Sequence, residues 1–298
     1  MISGSDIFSF GNAAGMARTM EHVDALLRTP ATDITIGSAR RQKHDGNSGT
    51  TYFFNKETKE SGNALGVPDA IAEKGYAILL PQMAEKTRAA SKVLRFSAHA
   101  ATADEFAYLT SFAFSYGADE VELNLSCPNE RRKDEKKIIP SYDPALTRRI
   151  LGRVALYASG KKVAVKVSPV GDDLIPELAK EFVRSGIVSH VVGVNTIPNQ
   201  TFTNPDGTQG LDYIGEDGSR YHTGGRAGAP IKDERRRVQA AFKKVLPTNI
   251  GFIAVGGIWT AEDVLESYRE GAYCAQCATA LLETPPYGRI FHEWAQGF

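Results

Sequence analysis

Eight short segments of strand-forming residues recur along this 298-residue chain, and a segment with helical patterning follows most of them. The later strand segments are continuous apolar runs, which are typical of strands buried on both faces of a parallel sheet. This repeated alternation favours an α/β fold of the (β/α)8 TIM-barrel type over a doubly wound sheet. The predicted strands are 6–10, 33–38, 93–97, 121–125, 162–168, 189–195, 251–255 and 272–277.

Between the strands, Thr102, Asp143 and Thr260 are predicted to cap the helices that follow them. Residues 51–54 are expected to form one arm of a hairpin over the barrel mouth. Residues 197–230, rich in Gly, Asn, Asp and Thr, are expected to be a long irregular loop of the functional or mobile kind. Because no break in composition divides the chain, residues 1–298 are predicted to form a single domain. The predicted helices are 19–28, 68–74, 102–116, 143–158, 175–185, 231–245, 260–270 and 287–296.

The composition narrows the possible partners. Basic and acidic residues both number 35, and this balance does not suggest nucleic acid or an anionic membrane as a partner. No apolar run approaches the roughly 20 residues that a membrane-spanning helix needs, and no signal peptide is recognisable. Three cysteines do not make a disulfide framework. We therefore expect a cytoplasmic protein that acts on a small molecule.

The segment from Val121 to Asn129 concentrates reactive and hydrogen-bonding groups at the end of a strand. Asn124, Ser126, Cys127 and Asn129 place two carboxamides, a hydroxyl and a thiol within six residues. In an α/β barrel, the carboxyl ends of the strands carry the chemistry. Carboxamides both donate and accept hydrogen bonds, which suits a planar ligand, and a thiol can act as a base or a nucleophile. A single cysteine is more often just a small buried apolar residue, but the whole string favours a ligand site.

Two other strand ends carry polar groups. Lys166 lies in an otherwise apolar strand and therefore needs a partner. The electron-rich edge of a reduced flavin and a carboxylate inside the barrel are about equally plausible partners. Asn195 and Thr196 close the sixth predicted strand with an amide and a hydroxyl.

Small residues end the seventh and eighth predicted strands, at Gly256-Gly257 and Ala278-Thr279-Ala280. Barrels of this kind hold phosphate groups at these two places through backbone N–H donors. Packing of the strand ends would also explain the glycines. The segment Gly224–Gly228 suits either a backbone that passes close to a flat cofactor or a plain flexible loop.

Three further residues are interpreted as structural. Cys274 and Cys277 lie three apart on a predicted strand and therefore point to opposite faces, so they are not expected to share a metal. No metal site is predicted. His99 follows the third strand and has a possible route to the site, but a lone histidine is more often structural.

Taken together, these residues resemble the dihydroorotate dehydrogenase family, whose members are FMN enzymes on a (β/α)8 barrel. The resemblance runs from about residue 8 to residue 286, and its most specific part is Glu122-Leu-Asn-Leu-Ser-Cys-Pro-Asn129. Asn12-Ala-Ala-Gly15 and Asn63-Ala-Leu-Gly-Val-Pro68 are similar to two other family motifs. The resemblance implies oxidation of dihydroorotate to orotate in pyrimidine biosynthesis.

The resemblance also implies roles for individual residues. Cys127 would be the base that removes the C5 proton while C6 delivers hydride to the flavin, as in the soluble class; membrane-associated members use serine there. The residues implied to bind the pyrimidine are Asn63, Asn124, Asn129, Asn195 and Thr196, with the backbone of Leu65, Gly66 and Val67. Those implied to hold FMN are Ala14, Gly15, Ser38, Asn124, Lys166, Gly225, Gly256, Gly257, Ala278 and Thr279.

Within the family, the string Ser141-Tyr142-Asp143 is most similar to the soluble class 1A, whose members use fumarate and are homodimers. Two alternatives remain open. One is a flavin oxidoreductase that acts on an uncharged pyrimidine, as dihydropyrimidine dehydrogenase does. The other is a barrel that has lost FMN and serves as a binding or scaffold protein.

The sequence departs from the family pattern in three places. The family has Thr-Lys-Ser after the second strand, with the lysine touching flavin and substrate, whereas here Thr35 is followed by Ile36-Gly37-Ser38. Arg40, Arg41 and Lys43 are the predicted substitutes for that lysine. The loop at 130–137 is longer and more charged than usual, and the chain stops at residue 298, short of the usual C-terminal segment. These departures suggest a specialised substrate or electron acceptor.

Overall fold

A computed structural model describes residues 8–127 and 139–298 of the chain. Asn129 and the charged loop at 130–137 therefore lie outside the described residues. The described strands are β1 Phe10–Asn12, β2 Asp33–Ala39, β3 Ser48–Thr50, β4 Tyr52–Asn55, β5 Glu60–Asn63, β6 Val93–Ala98, β7 Glu120–Asn124, β8 Val163–Lys166, β9 Val188–Gly193, β10 Ile197–Thr201, β11 Asp212–Ile214, β12 Arg220–Tyr221, β13 Thr223–Gly228, β14 Gly251–Val255 and β15 Cys274–Cys277. The described α-helices are α1 Met20–Leu27, α2 Ala72–Ala89, α3 Ala103–Ser115, α4 Pro144–Ala155, α5 Ile175–Ser185, α6 Lys232–Val245, α7 Ala261–Arg269, α8 Thr279–Glu283 and α9 Arg289–Gln296.

Eight of the strands close into a parallel barrel in the order β1-β15-β14-β9-β8-β7-β6-β2. Their neighbouring strands pair in parallel, and helices follow them on the outside. This confirms the predicted (β/α)8 barrel, and seven of the eight predicted strands overlap the observed ones. The first, predicted at 6–10, shares only Phe10 with the observed strand, and its residues 6 and 7 lie outside the described part of the chain. Parallel closure puts the carboxyl ends of all eight strands at one mouth of the barrel.

The predicted helix caps are also confirmed. The side chain of Thr102 accepts a hydrogen bond from Glu105 N, and that of Asp143 accepts one from Leu146 N. Thr260 forms a capping box with Asp263, in which each side chain accepts from the other residue's backbone N–H. Polar groups at the start of a helix satisfy N–H groups that have no partner within the helix.

The sequence interpretation of residues 197–230 was wrong, because this segment forms strands β10 to β13 rather than an irregular loop. β13 pairs with β10 on one side and with β5 on the other, and β5 also pairs with β4. These partners lie far along the chain, so the local pattern carries little information about the pairing. Residues 68–74 were also misjudged: the helix there begins at Ala72 and runs on to Ala89.

The hairpin predicted around residues 51–54 is confirmed as β4 and β5, which pair antiparallel. With β10 and β13 it forms a four-stranded sheet, which we call the hairpin sheet. Strands β3, β11 and β12 form a second sheet beside it. A small apolar cluster lies between them, and it includes Phe53, Phe202, Leu211 and Tyr213. The hairpin sheet contributes Tyr52, Ser61 and Asn63 to the cavity described below.

No helix among residues 8–127 and 139–298 is both long and apolar enough to cross a membrane.

Candidate active site

A cavity of about 420 Å³ opens at the carboxyl ends of the barrel strands, a size typical of small-molecule and cofactor sites. Its lining comes from the ends of β2, β7, β8, β9, β14 and β15 and from the hairpin sheet. Most of the residues predicted to bind substrate or cofactor meet here, although they are spread over more than 260 positions of the chain. Those that line it are Ala14, Gly15, Ser38, Asn63, Leu65, Gly66, Val67, Asn124, Cys127, Lys166, Asn195, Thr196, Gly256, Gly257, Ala278 and Thr279.

Asn124 ends β7, and its amide is held on both sides. The Nδ2 atom donates to Ser38 Oγ at 2.9 Å. The Oδ1 atom accepts from the hydroxyl of Ser126 at 2.9 Å and from Ser126 N at 3.3 Å. Because a backbone N–H can only donate, the oxygen must face Ser126, and one N–H of Asn124 remains for a ligand.

Asn195 follows β9 and is held by the same serine. Its Nδ2 atom donates to Ser126 Oγ at 2.9 Å and to the carbonyl oxygen of Ser126 at 3.1 Å. A carbonyl can only accept, so the nitrogen must face Ser126 and both of its N–H groups are used. Within the described chain, Asn195 Oδ1 makes no hydrogen bond, which leaves an acceptor for a ligand. Asn195 therefore complements Asn124, which keeps a donor.

Cys127 lies three residues beyond the end of β7, forms no disulfide, and has 6% of its surface exposed. Its position in the cavity lining places sulfur among the amides described above. Burial keeps bulk water away from a base at position 127, whereas a substrate in the cavity can reach that base.

Lys166 ends β8 and is 5% exposed. Within the described residues its ammonium group makes no hydrogen bond and no ion pair, so the carboxylate partner that was one of its two predicted options is not found there. A buried ammonium group needs a compensating partner. Since Lys166 lines the cavity, an electron-rich ligand group would supply that partner.

Small residues shape the cavity wall after β14 and β15. Gly257 has φ +71°, and a Cβ atom there would lie 2.5 Å from Lys232 Cα, so any side chain would collide with the start of α6. Packing thus explains Gly257 in part, as the alternative interpretation expected, while its backbone still faces the cavity. The Thr279 hydroxyl is 2.8 Å from the Ser61 hydroxyl, which joins the β15 end to the hairpin sheet.

Gly225 does not line the cavity, although the sequence interpretation placed it with the cofactor residues. It lies in strand β13 opposite Asn63 rather than in a flexible loop. A Cβ atom at Gly225 would lie 2.0 Å from Thr196 Oγ1, so the glycine gives Thr196 the space to reach the cavity. Its neighbours Ala227 and Gly228 do face the cavity.

The predicted substitutes for the family lysine lie elsewhere. Arg40, Arg41 and Lys43 line a separate cavity of about 280 Å³, together with His99, which likewise does not reach the main cavity. Arg41 pairs with Glu73 at 3.5 Å, and its guanidinium lies 4.4 Å from the centre of the Tyr108 ring. These cations therefore do not face the ligand space.

The sequence analysis missed Arg18, which follows β1 and lines the main cavity. Its Nη1 atom donates to the carbonyl oxygen of Ser38 at 3.4 Å and lies 3.8 Å from Asp69 Oδ1. A lysine at position 37 would have no room in this backbone, because Gly37 has φ +97° and a Cβ atom there would lie 2.4 Å from the carbonyl oxygen of Ser97. No local pattern singles out Arg18; only the strand order, which pairs β1 with β2, brings it beside Ser38.

The two cysteines of the C-x-x-C string are both buried and free, at the ends of β15. Burial raises the pKa of both thiols. Across residues 8–127 and 139–298 no group of three or more His, Cys, Asp or Glu side chains is arranged to hold a metal ion.

Comparison with known proteins identifies the family. The model of the dihydroorotate dehydrogenase family matches residues 7–293. Dihydroorotate dehydrogenase (quinone) of Acidovorax sp. (strain JS42) is 29% identical over 293 residues, covering 93% of this chain and 79% of that protein. Dihydroorotate dehydrogenase A (fumarate) of Lactococcus lactis subsp. cremoris (strain MG1363) is 29% identical over 290 residues, covering 95% of this chain and 88% of that protein.

A solved structure agrees on the fold. The structure of DHODH from Eimeria tenella in complex with ferulenol matches with a TM-score of 0.78 and 17% sequence identity, covering 97% of this chain and 79% of that chain. At this identity the likeness concerns the fold alone. The family match, which spans nearly the whole chain, goes further: this protein belongs to the dihydroorotate dehydrogenase family of oxidoreductases.

Proposed function

We propose that this protein, as one FMN-binding domain, oxidises dihydroorotate to orotate in pyrimidine biosynthesis. The observation that carries the proposal is the meeting of a thiol, two oriented carboxamides and a buried lysine in one cavity at the barrel mouth. Family membership agrees with this chemistry.

The cavity fits a flavin in two respects. Lys166 is a buried cation without a partner among the described side chains, and the edge of a reduced flavin is electron-rich. The backbone at Gly256, Gly257 and Ala278 borders the same cavity and offers space for a phosphate group. We assign FMN to these residues together with Ala14, Gly15, Ser38, Asn124 and Thr279. When bound, FMN supplies the two-electron acceptor that the oxidation requires.

The protein's own residues would bind the ring and move its proton. Asn195 offers an acceptor and Asn124 a donor, which suits the alternating N–H and C=O groups of a pyrimidine ring. Asn63, Thr196 and the backbone of 65–67 border the same space. The Cys127 thiolate would remove the proton from C5, and carboxamides and positive charge would stabilise the negative charge that develops on the substrate.

Arg18 is our candidate for the cation that binds the substrate carboxylate. Among the described lining residues, Arg18 and Lys166 are the two that carry a full positive charge. Arg18 lies close to Asp69, which follows the 65–67 segment by two positions, so its guanidinium is on the side of the cavity where that segment lies. Asp69 also accepts hydrogen bonds from the N–H groups of Arg40, Ile71 and Ala72, so the Arg18 charge is not its sole partner.

A substrate without a carboxylate is the second candidate, because the lysine of the family is missing at Ile36-Gly37. Turnover of dihydroorotate and of dihydrouracil, measured with the same artificial electron acceptor, separates the two. We expect dihydroorotate to be strongly preferred. Preference for dihydrouracil would move the activity to uncharged pyrimidines, and no turnover of either by flavin-loaded protein would favour a binding or scaffold role.

We further propose fumarate as the electron acceptor and a cytoplasmic homodimer as the working form, both on the resemblance to class 1A. Relatives named for quinone and for fumarate match this chain with equal identity. The Ser141-Tyr142-Asp143 string carries structural contacts here, since the Ser141 hydroxyl accepts from Ser168 N and Asp143 caps α4. Steady-state rates with fumarate and with a soluble quinone decide the acceptor, and sedimentation equilibrium decides the oligomer.

A further inference from the structure

A chain of hydrogen bonds runs from the core of the barrel to the candidate active site. It starts at Glu122, which lies in β7 two residues before Asn124 and is fully buried. Ser97 Oγ donates to Glu122 Oε1 at 2.9 Å, and the hydroxyls of Ser97 and Ser38 are 3.0 Å apart. Asn124 Nδ2 then donates to Ser38 Oγ at 2.9 Å. Neither Glu122 nor Ser97 lines the cavity, whereas Ser38 and Asn124 do.

The direction of every bond in this chain follows from its two ends. A hydroxyl has one hydrogen to give. Because Ser97 gives its hydrogen to Glu122, it must accept from Ser38, and Ser38 must in turn accept from Asn124. From the other end, Ser126 N–H fixes the oxygen of Asn124 toward Ser126, so the Asn124 nitrogen must face Ser38. The two arguments agree.

A buried positive charge lies near Glu122. Arg95 is buried in the same layer of the barrel, bonded to Asp33 and Glu120. Burial acts to lower the pKa of Arg95, but the carboxylates around it, Glu122 among them, raise it. Arg95 is therefore a permanent positive charge that interacts with Glu122, and a hydrogen bond accepted by a carboxylate is stronger than one between two neutral groups.

We infer that Glu122 is a positioning residue, which acts through Ser97 and Ser38 to hold the Asn124 amide with one N–H aimed at the ligand. Within the described part of the chain, Glu122 Oε2 accepts no hydrogen bond, whereas Oε1 accepts one from Ser97. Among the described residues, Ser97 therefore connects the Glu122 carboxylate to the site. Bonds aligned in one direction polarise one another. Without the carboxylate, the Ser38 hydroxyl is free to rotate. It can then compete with the Asn124 N–H for the ligand group that this N–H binds.

The test compares Ser97→Ala with Ser189→Ala. Ser189 is the matched control, because its hydroxyl also donates to a β7 glutamate, the partly buried Glu120, at 3.0 Å from Oε1, but does not line the cavity. In the ligand-free protein, we expect the side-chain amide resonances of Asn124 in a ¹⁵N–¹H spectrum to shift in Ser97→Ala and to stay in place in Ser189→Ala. Resonances that stay in place in Ser97→Ala, or that shift as much in the control, would overturn the inference.

A second readout is the dissociation constant of orotate with the flavin-loaded protein. We expect it to rise roughly three- to tenfold in Ser97→Ala and to stay unchanged in Ser189→Ala. Only this readout rests on the proposed function. If the wild-type protein does not bind orotate, the proposed function fails while the amide spectrum still tests the positioning role.

A third variant covers the case in which Ser97→Ala does not fold. Glu122→Gln keeps the size of the side chain and one acceptor oxygen but removes the charge. It must shift the Asn124 amide resonances as well. An unchanged spectrum in folded Glu122→Gln would contradict the role of the carboxylate.

Discussion

The guanidinium of Arg18 lies 3.4 Å from the carbonyl oxygen of Ser38, so a residue after β1 brings positive charge to the end of β2. At Gly37, beside Ser38, a Cβ atom would meet the carbonyl oxygen of Ser97 at 2.4 Å. A positive charge thus enters the cavity beside Ser38 from the segment that follows β1.

If Arg18 binds the substrate carboxylate, then Arg18→Ala should raise the dissociation constant of orotate about ten- to hundredfold, since a hydrogen bond to a charged group contributes about 1.5–3 kcal/mol. The dissociation constant of uracil, which lacks the carboxylate, should change much less. Arg41→Ala is the control, because Arg41 lies outside the cavity. Equal losses for orotate and uracil would mean that Arg18 shapes the site without meeting the carboxylate.

The assignment of Cys127 as base predicts a specific pH response. A cysteine thiol is ordinarily protonated at pH 7, so the rate of dihydroorotate oxidation should rise into the alkaline range. Cys127→Ser should lose roughly a hundredfold in rate near neutral pH and lose or shift that rise. Cys274→Ala is the control, since burial raises the pKa of Cys274 and it lies outside the cavity. An unchanged rate and pH profile in Cys127→Ser would remove Cys127 from the mechanism.

The contact between Gly225 and Thr196 predicts a loss of stability. A Cβ atom at Gly225 would lie 2.0 Å from Thr196 Oγ1 and 2.6 Å from Thr196 Cβ, so Gly225→Ala should lower the free energy of unfolding by about 1–3 kcal/mol. The control is Gly152→Ala within α4, where a Cβ atom would meet nothing within 4 Å. That change should raise stability by about 0.5–1 kcal/mol. Urea unfolding curves measure the free energy of unfolding of both variants. An unchanged free energy of unfolding in Gly225→Ala would show that Thr196 has room to move.

An ion pair between the buried Arg95 and the partly buried Glu120, at the other end of the barrel, predicts acid sensitivity. Burial acts to raise the pKa of Glu120, but the charge of Arg95 and a hydrogen bond with His190 outweigh it and lower the pKa to about 2. Because the folded-state pKa lies below the ordinary value of about 4.3, Glu120 contributes stability that is fully present above that value. This contribution is lost as the pH falls toward 2.

The measurement is urea unfolding between pH 5 and pH 3 for the wild-type protein and Glu120→Gln. The wild-type protein should lose up to about 2 kcal/mol over this range from this group. The variant should be less stable at pH 5 and show a flatter dependence on pH. Identical slopes in the two proteins would show that Glu120 does not carry the effect.

Much of the barrel could be predicted because its signals are local. Mostly apolar runs mark β8, β9 and β14. Thr102, Asp143 and Thr260 start their helices with side chains that accept from nearby backbone. The same apolar pattern also predicted where the site lies, because a parallel barrel brings the carboxyl ends of its strands together.

The rest depended on contacts between distant parts of the chain. Strand β13 pairs with β5, about 160 positions earlier, so the segment 197–230 looked irregular in its own sequence. The same reason explains Arg18, which becomes a cavity residue only through the contact with Ser38. Arg40, Arg41 and Lys43 were nearer in sequence to the missing lysine but point into another cavity.

The most direct test of the proposed function is an anaerobic visible spectrum of the purified protein, recorded before and after addition of dihydroorotate. We predict a flavin spectrum that bleaches on addition, because oxidation of the substrate must reduce the bound flavin. A flavin spectrum that does not respond to dihydroorotate would contradict the proposed substrate.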